Sequence, residues 1–455
     1  MTDNTRSNNS NTDATTGRSG GRVRRRGFLK ATGGAALVTS VAGCTSSFGG
    51  GGGGGTIKLG HMAPVQLDMG QGSMRSARMM VDALNEEGGI MDREVELVEG
   101  DTQLSASQAN QLVQQWVNQE GVSMISGTFA SETMLGIEER VGNLNVPFID
   151  TGAASPQITQ DHVGADYETY KNVFRCNPVN ADFQADLLAD YAAFLSDTHG
   201  WNSFAVVVED AAWTQPVTDR TAARMEDEHG LSVEMNRRIS PDTTDFTPIL
   251  DSVEETGAKA MIKAISHISG TGMLSSWGAN EYPFAQEGIN VASMSPQYWS
   301  DTNGGCLYET TAESGAGGTA PVTEKTVPFT EDYIERFDSR PTLPMYMGFG
   351  TMDAGFIFKN AAEAAGTVDF QNNLDDIVAE LEATDYTGTA GQIQFYGKDH
   401  DYPHDVKFGE DLAPFPVTQW QAEAENDMIE GDGAKVCVWP EEFATGDHVL
   451  PQWMA

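Results

Sequence analysis

Two loops rich in small and hydroxyl residues each follow a short β-rich segment in the first half of the chain. The segment "SGTFASETMLG" places Ser131 at the start of a helix, and "DTGAASPQIT" brings together Gly152, Ala153, Ala154 and Ser155. A helix N-terminus offers unpaired N–H groups, and small residues let a ligand approach the backbone closely. These loops are suited to binding a carboxylate or another acceptor group. Ser131 also fits a plain helix N-cap, and one serine can fill both roles.

Signatures of the common enzyme chemistries do not occur in the folded part of the sequence. From Thr56 onwards there is no G-x-S-x-G, HExxH, P-loop or G-x-G-x-x-G motif. The segment "DHDYPHD" clusters His400 and His404 with acidic residues and could bind a cation, but Pro403 prevents their presentation on one helix face. A solvated acidic turn is the better interpretation. We therefore expect neither an enzyme nor a metal site nor a cofactor.

The composition is strongly acidic. Of 455 residues, 66 are acidic and 27 basic, which gives a net charge of −39. Such a charge repels nucleic acid and anionic membrane surfaces. Because 39% of the residues are apolar and follow clear periodicities, the chain should fold, and its length allows two domains. The acidity is typical of a halophilic protein, whose carboxylates keep it soluble at high salt.

The N-terminus differs from the rest of the chain. Residues 1–43 hold seven basic and two acidic residues, and their apolar run of 13 residues is too short to span a bilayer. Arg25 and Arg26 begin "RRGFLK", which resembles a twin-arginine export signal, and "VAGC" is similar to a lipobox with Cys44 as the lipidated residue. We expect export, removal of residues 1–43, and a lipid anchor at the extracellular face with a glycine tether over residues 44–55.

Three cysteines remain if Cys44 is lipidated. Export would permit disulfides, but Cys176, Cys306 and Cys437 are an odd number, so at least one thiol stays free. One bridge among the three is possible, and the sequence does not choose it. Their spacing suggests no metal site.

Short β-rich runs alternate with amphipathic helices from Thr56 onwards. In the first helix Ala77, Met80, Val81 and Leu84 lie at i, i+3, i+4 and i+7. The strand-like runs of the first series are "TIKLGHM", "EVELVEGD", "VSMISG" and "VPFIDTG", and those of the second are "SFAVVVED", "LSVEMNRRI", "AKAMIKAISH" and "INVASMS". Repeated strand–helix units predict parallel sheets covered by helices, and two such series predict two α/β lobes.

The order of these segments carries a family resemblance. The runs "IKLGHMAPV", "ALNEEGGIMDREVELVEGD", "VSMISGTFAS", "VPFIDTGAASPQIT", "VFRCNP" and "WNSFAVVVEDAAW" resemble the branched-chain amino acid type of periplasmic substrate-binding protein, from Thr56 to about Gln421. The resemblance implies a periplasmic binding protein type I fold, in which two Rossmann-like lobes with parallel sheets are joined by a three-segment hinge. Crossings near Arg175, Asp301 and Gly391 would divide the chain into lobe 1 (residues 56–175 and 302–390) and lobe 2 (residues 176–301 and 391–455).

The resemblance also implies a ligand site between the lobes. Ser131 and the loop from Gly152 to Ser155 match positions that bind the ligand's carboxylate in the family. Met69 and Trp213 fall where the family often has aromatic residues, although Trp213 is equally suited to packing between the lobes. From their place at the end of a strand, Ser266 and His267 should also reach the cleft, although a lone histidine there is more often structural.

Gln297 is where the sequence departs from the family pattern, since the matching position in amino-acid binders is an acid that neutralises the ligand's ammonium. A neutral amide cannot do this for a desolvated charge. Unless Asp68 or Asp210 supplies the negative charge, the ligand is an amide, a urea-like molecule or a simple carboxylate rather than an amino acid.

The function implied is the solute-binding component of an ABC importer. Its partners would be a small-molecule ligand, ABC permease and ATPase subunits, and the membrane through its lipid anchor, with no nucleic acid and as a monomer. The same two-lobe fold also serves ligand-sensing receptors, and the neighbouring genes would distinguish the two roles. A secreted lipoprotein enzyme is the less favoured alternative.

Overall fold

The computed structural model describes residues 55–409, 411–422 and 433–454. Arg25, Arg26, Cys44 and the tether up to residue 54 lie outside the described residues. The predicted export signal and lipid anchor therefore stay predictions.

The first lobe is built on a parallel sheet of five strands in the order β2-β1-β3-β4-β5. The strands are β1 (Ile57–Ala63), β2 (Val95–Asp101), β3 (Met124–Gly127), β4 (Phe148–Asp150) and β5 (Val173–Arg175). Helices α1 (Asp68–Glu86), α2 (Ala106–Gln115), α3 (Ser131–Leu144) and α4 (Tyr167–Tyr170) connect them. Most strand residues are buried, as expected when helices cover both faces of a sheet.

The second lobe repeats this plan with a parallel sheet in the order β7-β6-β8-β9. Its elements are α5 (Ala181–His199), β6 (Ser203–Glu209), α6 (Val217–Asp227), β7 (Ser232–Ile239), α7 (Thr247–Thr256), β8 (Ala260–Ile265), α8 (Thr271–Asn280), β9 (Ala285–Asn290) and α9 (Tyr298–Asp301). The predicted fold class, two α/β lobes with parallel sheets, is confirmed.

An edge strand extends the second lobe beyond the boundary expected near Asp301. Strand β10 (Thr310–Ala312) lies beside β9, where Thr310 and Thr311 accept hydrogen bonds from the backbone of Gly288 and Asn290 at 3.2 and 3.0 Å. We therefore place the second crossing after β10, about a dozen residues later than the sequence suggested. The segment is irregular and rich in glycine, so a strand of three residues gives no recognisable periodicity.

The chain then returns to the first lobe. It forms α10 (Thr326–Arg336), α11 (Met345–Ala365), α12 (Phe370–Glu382) and the two-residue strands β11 (Tyr386–Thr387) and β12 (Gln392–Ile393). Helix α11 packs closely on α1, since a Cβ on Gly355 would lie 2.1 Å from the sulfur of Met80. The following segment runs beside β5, where the Arg175 N–H donates to His404 O at 3.0 Å. We therefore propose that the third crossing lies after residue 408, whereas the sequence suggested a position near Gly391.

Two antiparallel strands complete the second lobe. β13 (Val417–Gln421) pairs with β10 and with β14 (Ala434–Trp439). None of the helices among the described residues is long and apolar enough to cross a membrane.

The cysteines and the histidine-rich turn have structural roles. Cys176, Cys306 and Cys437 are free and buried, so the disulfide that their number allowed is not formed. His404 is fully buried, stacks on Phe174 with 4.0 Å between ring centroids and lies 2.8 Å from Glu382. The part of the chain described by the structure holds no group of three or more His, Cys, Asp or Glu residues placed to bind a metal ion.

Candidate ligand-binding site

A cleft between the lobes contains two adjoining chambers. Counted as all the space between atoms, open solvent included, the inner chamber measures about 420 Å³ and the outer chamber about 860 Å³. Both are bordered by Phe129, Ser266, His267 and Val291, so they form one continuous space. Of the predicted site residues, the inner chamber is lined by Ser131, Gly152, Ala154, Trp213 and Ser266, and the outer chamber by Met69 and Ser266.

The first-lobe wall of the inner chamber is formed by two hydrogen-bonded loops. Ser131 is the first residue of α3 and not its N-cap, and its Oγ accepts from the N–H groups of Ala154 and Ser155 at 3.2 and 3.0 Å. Oδ1 of Asp150 accepts from Gly152 and Ala153 at 3.3 and 3.2 Å. These four N–H groups are therefore already paired within the protein. Ala153 and Ser155 are fully buried and do not line either chamber.

Arg175 fixes the same loop from behind. Its Nη1 donates to the carbonyls of Ala153 and Ser155 at 3.1 and 2.8 Å, while Nε and Nη2 form a bidentate pair with Asp405 at 2.8 and 2.5 Å. Arg175 and Asp405 are both fully buried. Asp405 lies on the segment beside β5 and also accepts from Asn180, which precedes α5. The loop is thus tied directly to the hinge.

Two further features set the shape and charge of this wall. A Cβ on Gly152 would lie 2.1 Å from the carbonyl oxygen of Thr128, so only glycine fits there. Burial raises the pKa of Asp150 to about 8, although Arg175 and the bonds from Ala153 and Gly152 partly oppose the shift. The first-lobe wall is therefore close-packed and gains little negative charge from Asp150 at neutral pH.

The second-lobe wall is organised by one buried carboxylate, Glu209, at the end of β6. Its Oε1 accepts from Trp213 Nε1 at 2.9 Å and from Ser266 Oγ at 2.7 Å, and it lies 2.9 Å from Nδ1 of His267. Its Oε2 accepts from the backbone N–H groups of His267 and Ile268 at 2.9 and 3.3 Å. Glu209 thus positions three side chains that line the inner chamber.

The contact between Glu209 and His267 favours the charged form of each group. Burial alone would raise the pKa of Glu209, but the hydrogen bonds from His267 and Ser266 outweigh it and lower the pKa to about 2. In return, the hydrogen bond to Glu209 raises the pKa of His267 against its partial burial, and the charges of Glu209 and Glu132 add to the rise. This wall therefore favours an imidazolium beside the chamber.

The rest of the inner chamber is mostly apolar and aromatic. Its lining includes Phe129, Trp213, Ile289, Val291, Met294, Tyr346 and Phe415. The hydroxyl of Tyr346 donates to Gly152 O at 2.7 Å, so its polar atom is already used. A chamber of this kind favours a ligand with a small apolar body and few polar groups.

Three residues considered as sources of cleft polarity have other positions. Gln297 lines neither chamber, and its Nε2 donates across the lobes to Thr342 at 3.3 Å. The carboxylate of Asp210 lies 2.7 Å from Arg238, and the side chain of Asp210 is 61% exposed. Asp68 lines the outer chamber but pairs with Arg340 at 2.6 Å. None of these carboxylates faces the inner chamber.

Arg340 joins the two lobes at the cleft mouth. It contacts Asp68 of the first lobe and Asp301 of the second, the latter at 2.9 Å. A second link runs from the Ala212 N–H to Glu132 Oε1 at 2.9 Å. In this structure the lobes are therefore in contact across the cleft mouth.

Glu209, Arg340 and Arg175 were not identified from the sequence as site residues. Glu209 did leave a signal, because it ends the run "FAVVVE". Because a parallel strand is buried on both faces, Glu209 is buried as the last residue of β6, whereas the following Asp210 is exposed to solvent. Arg340 lies in a stretch without periodicity, and the partner of Arg175 is 230 residues away, so neither pairing could be read from local pattern.

Comparison with known proteins places this site in context. Residues 56–410 match the family model described as periplasmic binding protein. The chain is 22% identical over 415 residues to Leu/Ile/Val-binding protein homolog 7 of Brucella abortus, covering 87% of this chain and 94% of the relative. The match to homolog 7 of Brucella suis is 24% identical but spans 214 residues, about half of that relative's length (51%).

Solved structures show the same fold. A putative branched-chain amino acid ABC transporter protein from Silicibacter pomeroyi aligns with a TM-score of 0.73 at 16% identity, over 88% of this chain and all (100%) of that one. A substrate-binding protein from Streptococcus pneumoniae in complex with isoleucine gives 0.65 at 16% identity, covering 84% and 99%. A solute-binding protein from R. palustris in complex with benzoate gives 0.65 at 13% identity, covering 88% and 99%. The model match over most of its length shows that this chain belongs to the periplasmic binding protein family.

Proposed function

We propose that this protein is the solute-capturing component of an ABC importer, which closes two lobes around a small organic solute and presents it to permease and ATPase subunits. The observation that carries the proposal is the cleft lined by both lobes, with hydrogen bonds across its mouth from Ala212 to Glu132 and from Gln297 to Thr342. A ligand that contacts both walls stabilises the closed state, which is the form a permease can recognise. The relatives are named as binding proteins, which supports a role without catalysis.

The solute class follows from the inner chamber. Its lining of aromatic and aliphatic side chains suits a small ligand with an apolar body and one polar head. Solved relatives hold isoleucine and benzoate, each of which combines a carboxylate with an apolar group. We place the ligand among small amino acids, amides, urea-like molecules and small carboxylates, with the polar head near Ser131 and His267.

A panel of ligands tests this proposal directly. Thermal unfolding at high salt, with amino acids, amides, urea and short or aromatic carboxylates, should identify compounds that raise Tm. A ligand at a hundred times its Kd stabilises by about 2.7 kcal/mol. Ala154→Leu, which fills the inner chamber, should abolish that rise, whereas Ala279→Leu on the exposed face of α8 should keep it. Equal rises in both variants would contradict binding in this cleft.

The membrane tether is a separate part of the proposal. Export through the twin-arginine signal and lipidation of Cys44 would hold a monomeric binder at the extracellular face beside its permease. Cys44→Ala should move the protein from the membrane fraction into the medium, and mass spectrometry of the wild-type N-terminal peptide should show acyl chains. Retention of the variant in the membrane would exclude this anchor.

A further inference from the structure

His267 lines the cleft, and one of its two ring nitrogens has no hydrogen-bond partner among the described residues. Its Nδ1 is turned inward, 2.9 Å from Glu209 Oε1 and 3.1 Å from Ser266 Oγ. The side chain is 27% exposed and lines both chambers, and the structure gives its Nε2 no partner among the described residues. Nε2 lies on the opposite edge of the ring from Nδ1 and is therefore available to a ligand.

The contact with Glu209 decides what Nε2 can do. Because the carboxylate only accepts hydrogen bonds, Nδ1 keeps its proton in both states of the ring. Nε2 is then a donor when His267 is cationic and an acceptor when it is neutral. The cationic ring therefore binds a carboxylate through Nε2, and the loss of one proton lets Nε2 bind an ammonium or amide N–H instead.

The charged groups around His267 favour the cationic state. Glu209 faces it from β6 and Glu132 from α3, and both raise its pKa. The aromatic ring of Phe129 lies 6.3 Å away, between ring centroids. In the outer chamber Asp68 and Asp301 are both paired with Arg340. Among the described residues that line the inner chamber, only His267 can carry a positive charge, and Arg340 of the outer chamber is already paired with both aspartates.

An ammonium group would find no equivalent partner. The described lining of the inner chamber contains no Asp or Glu. Glu209 is behind this lining, and both of its oxygens already accept hydrogen bonds from Trp213, Ser266, Ile268 and His267. An ammonium in this chamber would be desolvated without a counter-charge, at a cost that a carboxylate on an imidazolium does not incur.

We propose that His267, positioned by Glu209, is the anion anchor of the cleft, and that the ligand is a monocarboxylate with an apolar or aromatic body and no ammonium group. This inference rests on the proposed function as a solute binder. The apolar lining then receives the ligand body, while Nε2 of His267 donates to its carboxylate.

Three probes of matched size test the ligand class by calorimetry on the mature chain at pH 7 and high salt. Benzoate and benzamide share a shape and differ in charge, and leucine adds an ammonium to a carboxylate with an apolar body. We expect benzoate to bind roughly tenfold to a hundredfold more tightly than benzamide, because a charge-assisted hydrogen bond is lost, and leucine to bind more weakly than benzoate. Benzamide or leucine binding as tightly as benzoate would overturn the inference and leave the proposed function intact. Failure of all three, together with the wider panel, would instead refute solute binding itself.

Variants separate an anchoring role from a structural one. His267→Gln should weaken benzoate roughly tenfold to a hundredfold and leave benzamide within about threefold. His267→Lys keeps a cation and should retain much of the preference for benzoate. The matched control is His229→Gln, a partly exposed histidine paired with Asp190 on the far side of the second lobe, which should change neither affinity. Equal losses for benzoate and benzamide in His267→Gln would show that His267 only shapes the wall.

The pH profile tests Glu209 as a positioning residue. Wild-type affinity for benzoate should fall with rising pH as His267 loses its proton, and this loss should come at a higher pH than for an ordinary histidine. Glu209→Gln removes the counter-charge, so the fall should begin at a lower pH, whereas Glu209→Asp should stay closer to wild type. NMR titration of His267 in the three proteins gives the midpoint even if Glu209→Gln is less stable. An unchanged midpoint in Glu209→Gln would overturn the assigned role.

Discussion

The two walls of the cleft differ in the chemical groups that form them, since one is made of backbone and the other of side chains. On the first-lobe wall, backbone N–H groups are bonded to Ser131 and Asp150, and the carbonyls behind them are bonded to Arg175. On the second-lobe wall, three side chains converge on the single carboxylate of Glu209. The backbone wall fixes the shape of the chamber, since it leaves few free polar atoms. The side-chain wall determines its charge, which one substitution can change.

The two walls also titrate in opposite directions. Asp150 has a raised pKa of about 8 and Glu209 a lowered one of about 2. Asp150 is buried with too few donors to compensate for its lost hydration, whereas Glu209 accepts five hydrogen bonds. Burial alone therefore does not set the protonation state of a carboxyl in this cleft.

Removing Arg175 should have the largest effect on the backbone wall. Arg175→Met leaves Asp405 buried without its counter-charge and frees the carbonyls of Ala153 and Ser155. We expect the free energy of unfolding to fall by about 3–5 kcal/mol in urea titrations.

The control for this prediction is an ion pair on the surface. Arg78→Met breaks a bidentate pair with Glu99 whose side chains are 52% and 40% exposed, and it should cost about 0–1 kcal/mol. Similar losses in the two variants would mean that the buried pair has no special role in holding the loop.

Because the pKa of Asp150 is raised and that of Glu209 is lowered, the contributions of the two groups to folding stability should change with pH in opposite directions. Asp150 favours the folded state while it is protonated, so its contribution is complete below the unfolded pKa of about 4 and is lost as pH rises to about 8, at up to about 1.4 kcal/mol per pH unit. Glu209 contributes above the unfolded value of about 4, and this contribution is lost as pH falls towards about 2.

Difference curves isolate these two groups from the many other carboxylates. When the free energy of unfolding of Asp150→Asn is subtracted from that of the wild type at each pH, the difference should decline between pH 4 and pH 8. Subtracting Glu209→Gln should leave one that declines below pH 4. Slopes of the same sign in the two difference curves would refute the contrast between the walls.

A smaller loss is expected when the close packing of the backbone wall is disturbed. In Gly152→Ala the new Cβ would lie 2.1 Å from Thr128 O, so the loop must shift. This shift should lower the free energy of unfolding by about 1–3 kcal/mol. It should also weaken the binding of any ligand that raises the Tm of the wild type. Gly278→Ala in α8 has nothing within 4 Å of its new Cβ and should be neutral or stabilising by up to about 1 kcal/mol. Melting and calorimetry on both variants provide the test, and equal effects would count against a tightly packed wall.

The sequence predicts the backbone wall better than the side-chain wall. Ser131 and Gly152 follow strands of a parallel sheet, and loops at that edge meet whatever their side chains are. Glu209 and Asp210 are adjacent acids at the end of one strand, and only the pleat and burial of β6 separate the buried one from the exposed one. Gln297 differs in the opposite way. Its position in the sequence suggested that its side chain lies in the cleft, but the turn before α9 directs the amide to Thr342.

The positions at which the chain passes between the lobes are hard to predict for a related reason. The long helices and buried strands were predicted from their periodicity, but β10 has three residues and the segment beside β5 is held by the Arg175–Asp405 pair. Such segments take their positions from partners that are distant in the sequence. Local pattern therefore identifies the two lobes, whereas the positions of the crossings depend on these distant contacts.

The smallest effect is expected at the cleft mouth, where the two walls meet. Arg340 is 49% exposed and bridges Asp68 of one lobe to Asp301 of the other, so Arg340→Gln should change the free energy of unfolding by no more than about 1 kcal/mol. Because the bridge exists only when the lobes are closed, its loss should still weaken ligand binding a few-fold, and more at low salt than at high salt. Arg336→Gln is the matched control, since Arg336 pairs with Asp82 and Asp332 within the first lobe. Calorimetry at two salt concentrations should show reduced affinity for Arg340→Gln alone, and an equal reduction in both variants would mean that the lobes close without help from this bridge.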